Sequence, residues 1–271
     1  MKIEANGISM NYEVTGSGDY LVLIHGAGDN LNAWHNQVPV FSKDYRVLTY
    51  DVRGHGQTEL AEGKYALDIW TNDLYALIKA LGTSKVYILG YSMGGMIAAT
   101  LALKHPEVVK ALVLSNTGGA SVMTEKAKQQ MEERHRVQKE VFEKEGMLGI
   151  FKMRTTTMFS PGFAEKNPDV MGKYRAILLQ NRVEGYRKVM ESMSNRSPID
   201  FAKITCPTLI IVGEHDISSS PEAGKILHRL IPSSELKIFP TAHAAAMEQP
   251  EEYNKTVLAF LAKAKKANKA I

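Results

Sequence analysis

A chain of 271 residues, 44% of them hydrophobic, with a formal charge of +4, is long enough to bury a substantial core and too mildly charged to point to a nucleic-acid or membrane partner. The surplus lysines Lys263, Lys265, Lys266 and Lys269 cluster at the end of the chain without interleaved aromatics, as a solvated face would. Cys206 is the single cysteine, which excludes an intrachain disulfide, and no signal-like or bilayer-length apolar run occurs, so the expectation is a cytoplasmic protein with no nucleic acid and no membrane among its partners.

Residues 2–14 alternate in a strand-like way around Asn6-Gly7, a hairpin signal that predicts an antiparallel edge to a sheet. Tyr20 to Ile24 is a continuous apolar run suited to a strand covered on both faces. It ends in His25-Gly26-Ala27-Gly28, a turn whose backbone N–H groups can point into a cavity. Trp34 to Phe41 reads as a short helix broken by Pro39, and Tyr45 to Tyr50 as the next strand. The stretch Asp51-Val52-Arg53-Gly54-His55-Gly56-Gln57-Thr58 invites a catalytic or metal reading, but its glycine pacing favours a hydrogen-bonded loop. Leu67 to Leu81 has helical spacing, with Gly82 as its stop.

The sharpest signal follows. Val86 to Leu89 is a short β-favouring run, and the chain then turns over Gly90-Tyr91-Ser92-Met93-Gly94 into a segment of small residues compatible with a helix. In G-x-S-x-G the glycines leave room around a serine held in a strained turn at a strand end, where its hydroxyl is exposed next to a helix N-terminus. Ser92 is therefore a candidate nucleophile that calls for a histidine and a carboxylate from elsewhere.

Val109 to Leu114 is the next strand, and the rhythm predicts a mostly parallel central sheet with helices on both faces. From about Ala120 to Ser197 the pattern becomes charged and helical, with one helix over Lys126 to Glu143 and two more within Val170 to Met193. Residues 120–197 are accordingly read as a helical cap inserted into a core domain made of 1–119 and 198–271. Met123, Met131, Met147, Met153, Met158, Met171, Met190 and Met193, with Phe151, Phe159 and Phe163, fill this insert, and some of them should face a substrate. The strand–helix rhythm resumes with Cys206 to Val212, Pro221 to Leu230 and Leu236 to Phe239, and a last helix starts near Pro250. Asp216 and His243, like Ser92, fall in turns just after predicted strands, on the edge where open parallel sheets bind ligands.

Taken together, His25-Gly26-Ala27-Gly28, Asp51-x-Arg53-Gly54-His55-Gly56, Gly90-x-Ser92-x-Gly94-Gly95, Gly213-Glu214-His215-Asp216 and His243 with Glu248-Gln249-Pro250 resemble the capped α/β-hydrolase family over nearly the whole chain. The resemblance implies that Ser92 attacks a carbonyl, that His243 is its base and that Asp216 orients the imidazole. It further implies an oxyanion hole from the N–H groups of Ala27 and Met93. Ala242 stands where the family usually has glycine, and Glu214 is an alternative acid; His25, His55 and His215 are weaker histidine candidates.

A serine at the elbow speaks against the aspartate-dependent dehalogenases and epoxide hydrolases of the family. No H-E-x-x-H, Walker A or dinucleotide fingerprint occurs, so no cofactor and no metal are expected. The chain is similar to small carboxylesterases and lactonases, including enol-lactone hydrolases and N-acyl-homoserine-lactone lactonases, which implies acyl-enzyme chemistry on a small-molecule ester or lactone as partner. The Met- and Phe-rich insert of mild charge suits a neutral substrate with an apolar tail, such as an N-acyl-homoserine lactone, and a homodimer is left open. Members with the same motifs cleave carbon–carbon bonds in diketo acids, act as cofactor-free peroxidases or serve as triad-retaining receptors. A diketo acid should require a cation in the pocket, for which Arg154, Arg175, Arg182 and Arg187 are candidates.

Overall fold

The chain begins as a hairpin in which β1 (Lys2–Ala5) and β2 (Ile8–Thr15) pair antiparallel with Ala5 opposite Ile8. Both turn residues, Asn6 and Gly7, have positive φ, the backbone whose twist matches that of the flanking strands. β2 pairs antiparallel with β4 (Arg46–Tyr50), and every pair beyond it is parallel. The remaining strands are β3 (Tyr20–Ile24), β5 (Val86–Tyr91), β6 (Val109–Ser115), β7 (Thr208–Gly213) and β8 (Ser234–Phe239). They form one sheet in the order β1-β2-β4-β3-β5-β6-β7-β8. The computed structural model describes residues 1–118, 125–193 and 198–269.

The two-residue period of a strand divides the core. Val22, Ile24, Ile88, Leu112 and Leu114 pack on one face with helices α1 (Leu67–Ala80) and α2 (Met93–Lys104). Leu21, Leu23, Leu89, Ala111 and Val113 pack on the other with Phe41, Trp34 and the Tyr253, Val257 and Leu261 stripe of the last helix, Pro250–Lys269. Strands β5 and β7 are buried at every residue, which is why they read as unbroken apolar runs.

Between β6 and β7 lie α3 (Glu125–Thr157), α4 (Pro168–Leu179) and α5 (Val183–Met193). They enclose a small core of their own around Phe142, Ile150, Phe159, Tyr174 and Tyr186, and that core also takes in Ala33, Ala244 and Met247 from loops of the sheet. The helix expected over Lys126 to Glu143 is present as the first part of α3; Gly146 (φ 60°, ψ −148°) breaks the helix, and a second helical stretch continues to Thr157. The cap boundaries drawn at 119/120 and 197/198, and Met123, lie outside the described residues.

Two proline positions differ from expectation. Pro39 opens the helix Val38–Phe41, whose first turn needs no N–H from it, rather than breaking a longer one. Pro207 delays β7 to Thr208, since it cannot donate to the ladder. Among the described residues no helix is long and apolar enough to cross a membrane.

Candidate active site

Ser92 sits between β5 and α2 with φ 53° and ψ −114°, outside the regions open to ordinary L-residues. The strain is held by close packing: a Cβ at Gly90 would run into the Gly94 carbonyl, and one at Gly94 into the Ile24 carbonyl. The Ser92 N–H donates to Ser115 O at 2.9 Å, so the elbow's shape is set by backbone and leaves Oγ free.

Asp216, three residues past β7, accepts the backbone N–H groups of Ser218 (2.7 Å) and Ser219 (2.9 Å) on Oδ1. Its Oδ2 faces His243 Nδ1 at 2.7 Å and accepts from Asn116 Nδ2 at 3.1 Å. Burial pushes this carboxyl up, but the facing imidazole and the surrounding donors outweigh it and hold the group below the usual carboxylate range. An acceptor-only carboxylate requires Nδ1 to carry the proton, which leaves the Nε2 lone pair for Ser92 Oγ, 3.0 Å away. The structure thus brings Ser92, His243 and Asp216 into one relay, while Glu214 and His215 are exposed. Ala242 is absent from the left-handed backbone region, so glycine is not needed there. Ala27 N–H and Met93 N–H find no acceptor among the described residues.

The other conspicuous histidines are braces. His25 Nε2 accepts the Val52 N–H at 3.0 Å and its Nδ1 faces Gly26 O at 2.8 Å. His55 Nε2 accepts the Gly28 N–H at 2.9 Å, with Nδ1 against Val52 O at 3.2 Å. Asp51 closes the same loop by accepting from Leu31, Gln57 and Asn11. Both imidazoles are therefore neutral acceptors in a dry interior, and burial lowers both pKa values. Each binds its proton in the unfolded chain near the ordinary 6.5, but only at lower pH when folded. Stability present above that value is accordingly lost as pH falls. Asp29 works in the opposite sense, because burial raises it to about 6 and the folded form keeps its proton longer. With two histidines against one carboxyl, the urea midpoint should fall from about pH 7.5 to about pH 5, with a shallower slope in His55→Gln. A flat wild-type profile would contradict the neutral-brace assignment.

A cavity of about 900 Å³ opens over Ser92 and His243. Met131, Met153, Met158, Met190 and Met193 line it, whereas Met147, Met171 and Phe159 fill the helical core and Phe151 and Phe163 pack against that core. The four arginines singled out as candidate cations are all occupied or turned away. Arg154 donates to Ala27 O (2.6 Å), Tyr174 Oη (3.1 Å) and Tyr186 Oη (3.2 Å), and Arg182 to Thr58 O. Arg187 pairs with Glu143, and Arg175 is exposed. Arg134, which the sequence did not single out, is half-buried in the cavity wall, and burial lowers its pKa. Among the described residues it makes no hydrogen bond or ion pair. Asn116 was also missed, because its only signal is its place after β6. Cys206 is half-buried packing, with burial raising its thiol to about 11.

This chain is similar to a 3-oxoadipate enol-lactonase of Acinetobacter baylyi, with 29% identity over 262 residues, 96% of this chain and 95% of the relative. It is 28% identical to a 2-hydroxy-6-oxo-6-(2'-aminophenyl)hexa-2,4-dienoic acid hydrolase of Metapseudomonas resinovorans, covering 96% of this chain and 90% of the relative. A thermophilic esterase from Thermogutta terrifontis, solved with malate bound, superposes with a TM-score of 0.86 at 29% identity, covering 97% of this chain and 98% of the esterase. A family model for the alpha/beta hydrolase fold matches residues 19–250, from the edge of β3 past His243, and the chain belongs to that family.

Proposed function

We propose that the protein is a serine hydrolase of lactones or carboxylic esters that works through an acyl-enzyme on Ser92. The observation that carries this reading is the relay from Asp216 to His243 (2.7 Å) to Ser92 Oγ (3.0 Å) at the floor of the cavity. Ser92 Oγ attacks the carbonyl carbon as His243 Nε2 takes its proton. The oxyanion forms against the N–H groups of Ala27 and Met93, which meet no acceptor among the described residues, the latter at the head of α2. His243 then gives its proton to the leaving oxygen, and for a lactone that oxygen stays tethered to the acyl group. Water, deprotonated by His243, releases the acid and restores Ser92. The helices between β6 and β7 act as a cap over this floor.

Arg134 favours an acidic form of this substrate class, since a half-desolvated cation with no hydrogen bond or ion pair among the described residues would take a carboxylate at the far end of a lactone, ester or keto acid. N-acyl-homoserine lactones, which are neutral, are the competing lactones. The test is a substrate panel of enol-lactone acids, acyl-homoserine lactones and p-nitrophenyl esters from acetyl to dodecanoyl, run with wild type and Arg134→Met. Turnover of at least one ester or lactone is expected, with KM for acidic substrates rising about tenfold in Arg134→Met and KM for neutral esters unchanged. No turnover of any of them, and no adduct of a fluorophosphonate on Ser92 by mass spectrometry, would overturn the reading.

A further inference from the structure

The turn that carries Ala27 is held from two sides, by the loop after β4 and by the helical segment above it. Arg154 Nη2, near the end of α3, donates to Ala27 O at 2.6 Å. The N–H of that same peptide unit, on Gly28, is taken by His55 Nε2 at 2.9 Å, so one peptide plane is gripped at both ends. Gly28 O accepts from Asn181 Nδ2 at 2.7 Å, and Asn181 Oδ1 accepts the Gly56 N–H at 2.8 Å. One side chain thus ties two loops of the sheet together. Asn30 Nδ2 donates to Ile177 O (3.0 Å) and Gln180 Oε1 (3.1 Å), completing a seam 147 residues apart in the chain.

Arg154 is only 6% exposed, and a buried guanidinium is costly unless its donors are filled. Ala27 O, Tyr174 Oη and Tyr186 Oη take three of its five N–H groups, and Asp29 Oδ1 stands 3.9 Å away as counter-charge. The fit needs glycine beneath it: Gly28 has φ 79°, and a Cβ there would lie 3.1 Å from Arg154 Nη1.

We propose that Arg154 and Asn181 are positioning residues for the oxyanion loop, so that the cap is a structural part of the hole as well as its cover. This rests on the acyl-enzyme reading above. Holding the 27–28 peptide anchors the carboxyl side of Ala27 and so restricts the swing of the adjoining 26–27 peptide that carries the Ala27 N–H, whose value lies in being pre-set before charge develops. Arg154 borders the cavity, but its hydrogen bonds go to protein acceptors, and those of Asn181 go to Gly28 and Gly56.

The experiment measures kcat, KM, the pH midpoint of kcat/KM and the Ki of a trifluoromethyl ketone for wild type, Arg154→Met, Arg154→Lys, Asn181→Asp and Ser92→Ala. Arg182→Met, which loses another cap-to-sheet hydrogen bond away from this loop, is the control. Arg154→Met should lose about 100-fold in kcat, as when one oxyanion donor is misplaced. Its Ki should rise by a similar factor, with KM and the pH midpoint unchanged. Asn181→Asp, isosteric but without the donor to Gly28 O, should lose about tenfold in the same pattern. Arg154→Lys should recover part of the loss, and Arg182→Met should stay near wild type. If Arg154→Met does not fold, the Lys and Asp variants carry the test. Wild-type kcat in the folded variants, or a fall shared by Arg182→Met, overturns the proposal. If Ser92→Ala keeps wild-type turnover, the acyl-enzyme reading fails instead.

Discussion

Ser92→Ala is expected to fold as the parent does and to lose ester or lactone turnover by about 10⁴- to 10⁶-fold. The fold should survive because the elbow is built by its neighbours. The Gly90 and Gly94 contacts and the Ser92 N–H to Ser115 O bond all persist in alanine, and alanine carries the same Cβ through the same positive φ. Among the described residues the removed Oγ accepts no backbone donor, and the one group that loses its partner, His243 Nε2, lines the cavity. What is lost is the atom that would become covalently acylated, and with it the proton that His243 is placed to take. Circular-dichroism melts should coincide while initial rates collapse. A variant within tenfold of wild type would end the assignment of Ser92 as nucleophile.

Asp216→Asn should lower kcat by about 10⁴-fold, for a reason that can be read from four donors. Two backbone N–H groups, of Ser218 and Ser219, point at the Oδ1 position, and the His243 ring and the Asn116 amide at the Oδ2 position. Asparagine has one oxygen, and the paired backbone donors will claim it. Its NH₂ then faces His243 Nδ1, which must give up its proton to accept. That moves the proton to Nε2 and points it at Ser92 Oγ, where a base is needed. Asn116 cannot easily rotate to relieve the clash, because its Nδ2 also donates to Ala242 O at 3.3 Å. The measurement is kcat against pH in a correctly folded variant, and retention of a tenth or more of wild-type kcat would mean that Asp216 does not set the imidazole's tautomer.

Much of the fold was legible because its causes are local or periodic. The Asn6-Gly7 turn, the apolar runs of β3, β5 and β7 and the stripe of α1 each follow from a steric or burial rule acting within a few residues. Errors came where two rules competed. Pro39 as helix breaker lost to Pro39 as helix opener, and Pro207 as part of an apolar run lost to Pro207 as a residue that cannot donate to the ladder.

Among site residues, Ser92 could be found from its own neighbours, since the glycine spacing is a demand of the turn itself. His243 and Asp216 needed the resemblance as well, and the 3.0 and 2.7 Å distances then brought them to the serine. Asn116, 100 residues from the carboxylate it steadies, left no pattern in the chain. Nor did Arg154, 127 residues from the carbonyl it holds. The unaided sequence determined a mostly parallel sheet with a candidate nucleophilic serine at one strand end, because strand period and turn sterics are written into adjacent residues. Which arginine is spent on the loop, which one stands half-buried in the cavity wall, and which histidine braces a loop rather than facing Ser92 were decided only by tertiary structure. Those roles depend on who else reaches the same polar atom, and folding settles that between segments far apart in the chain.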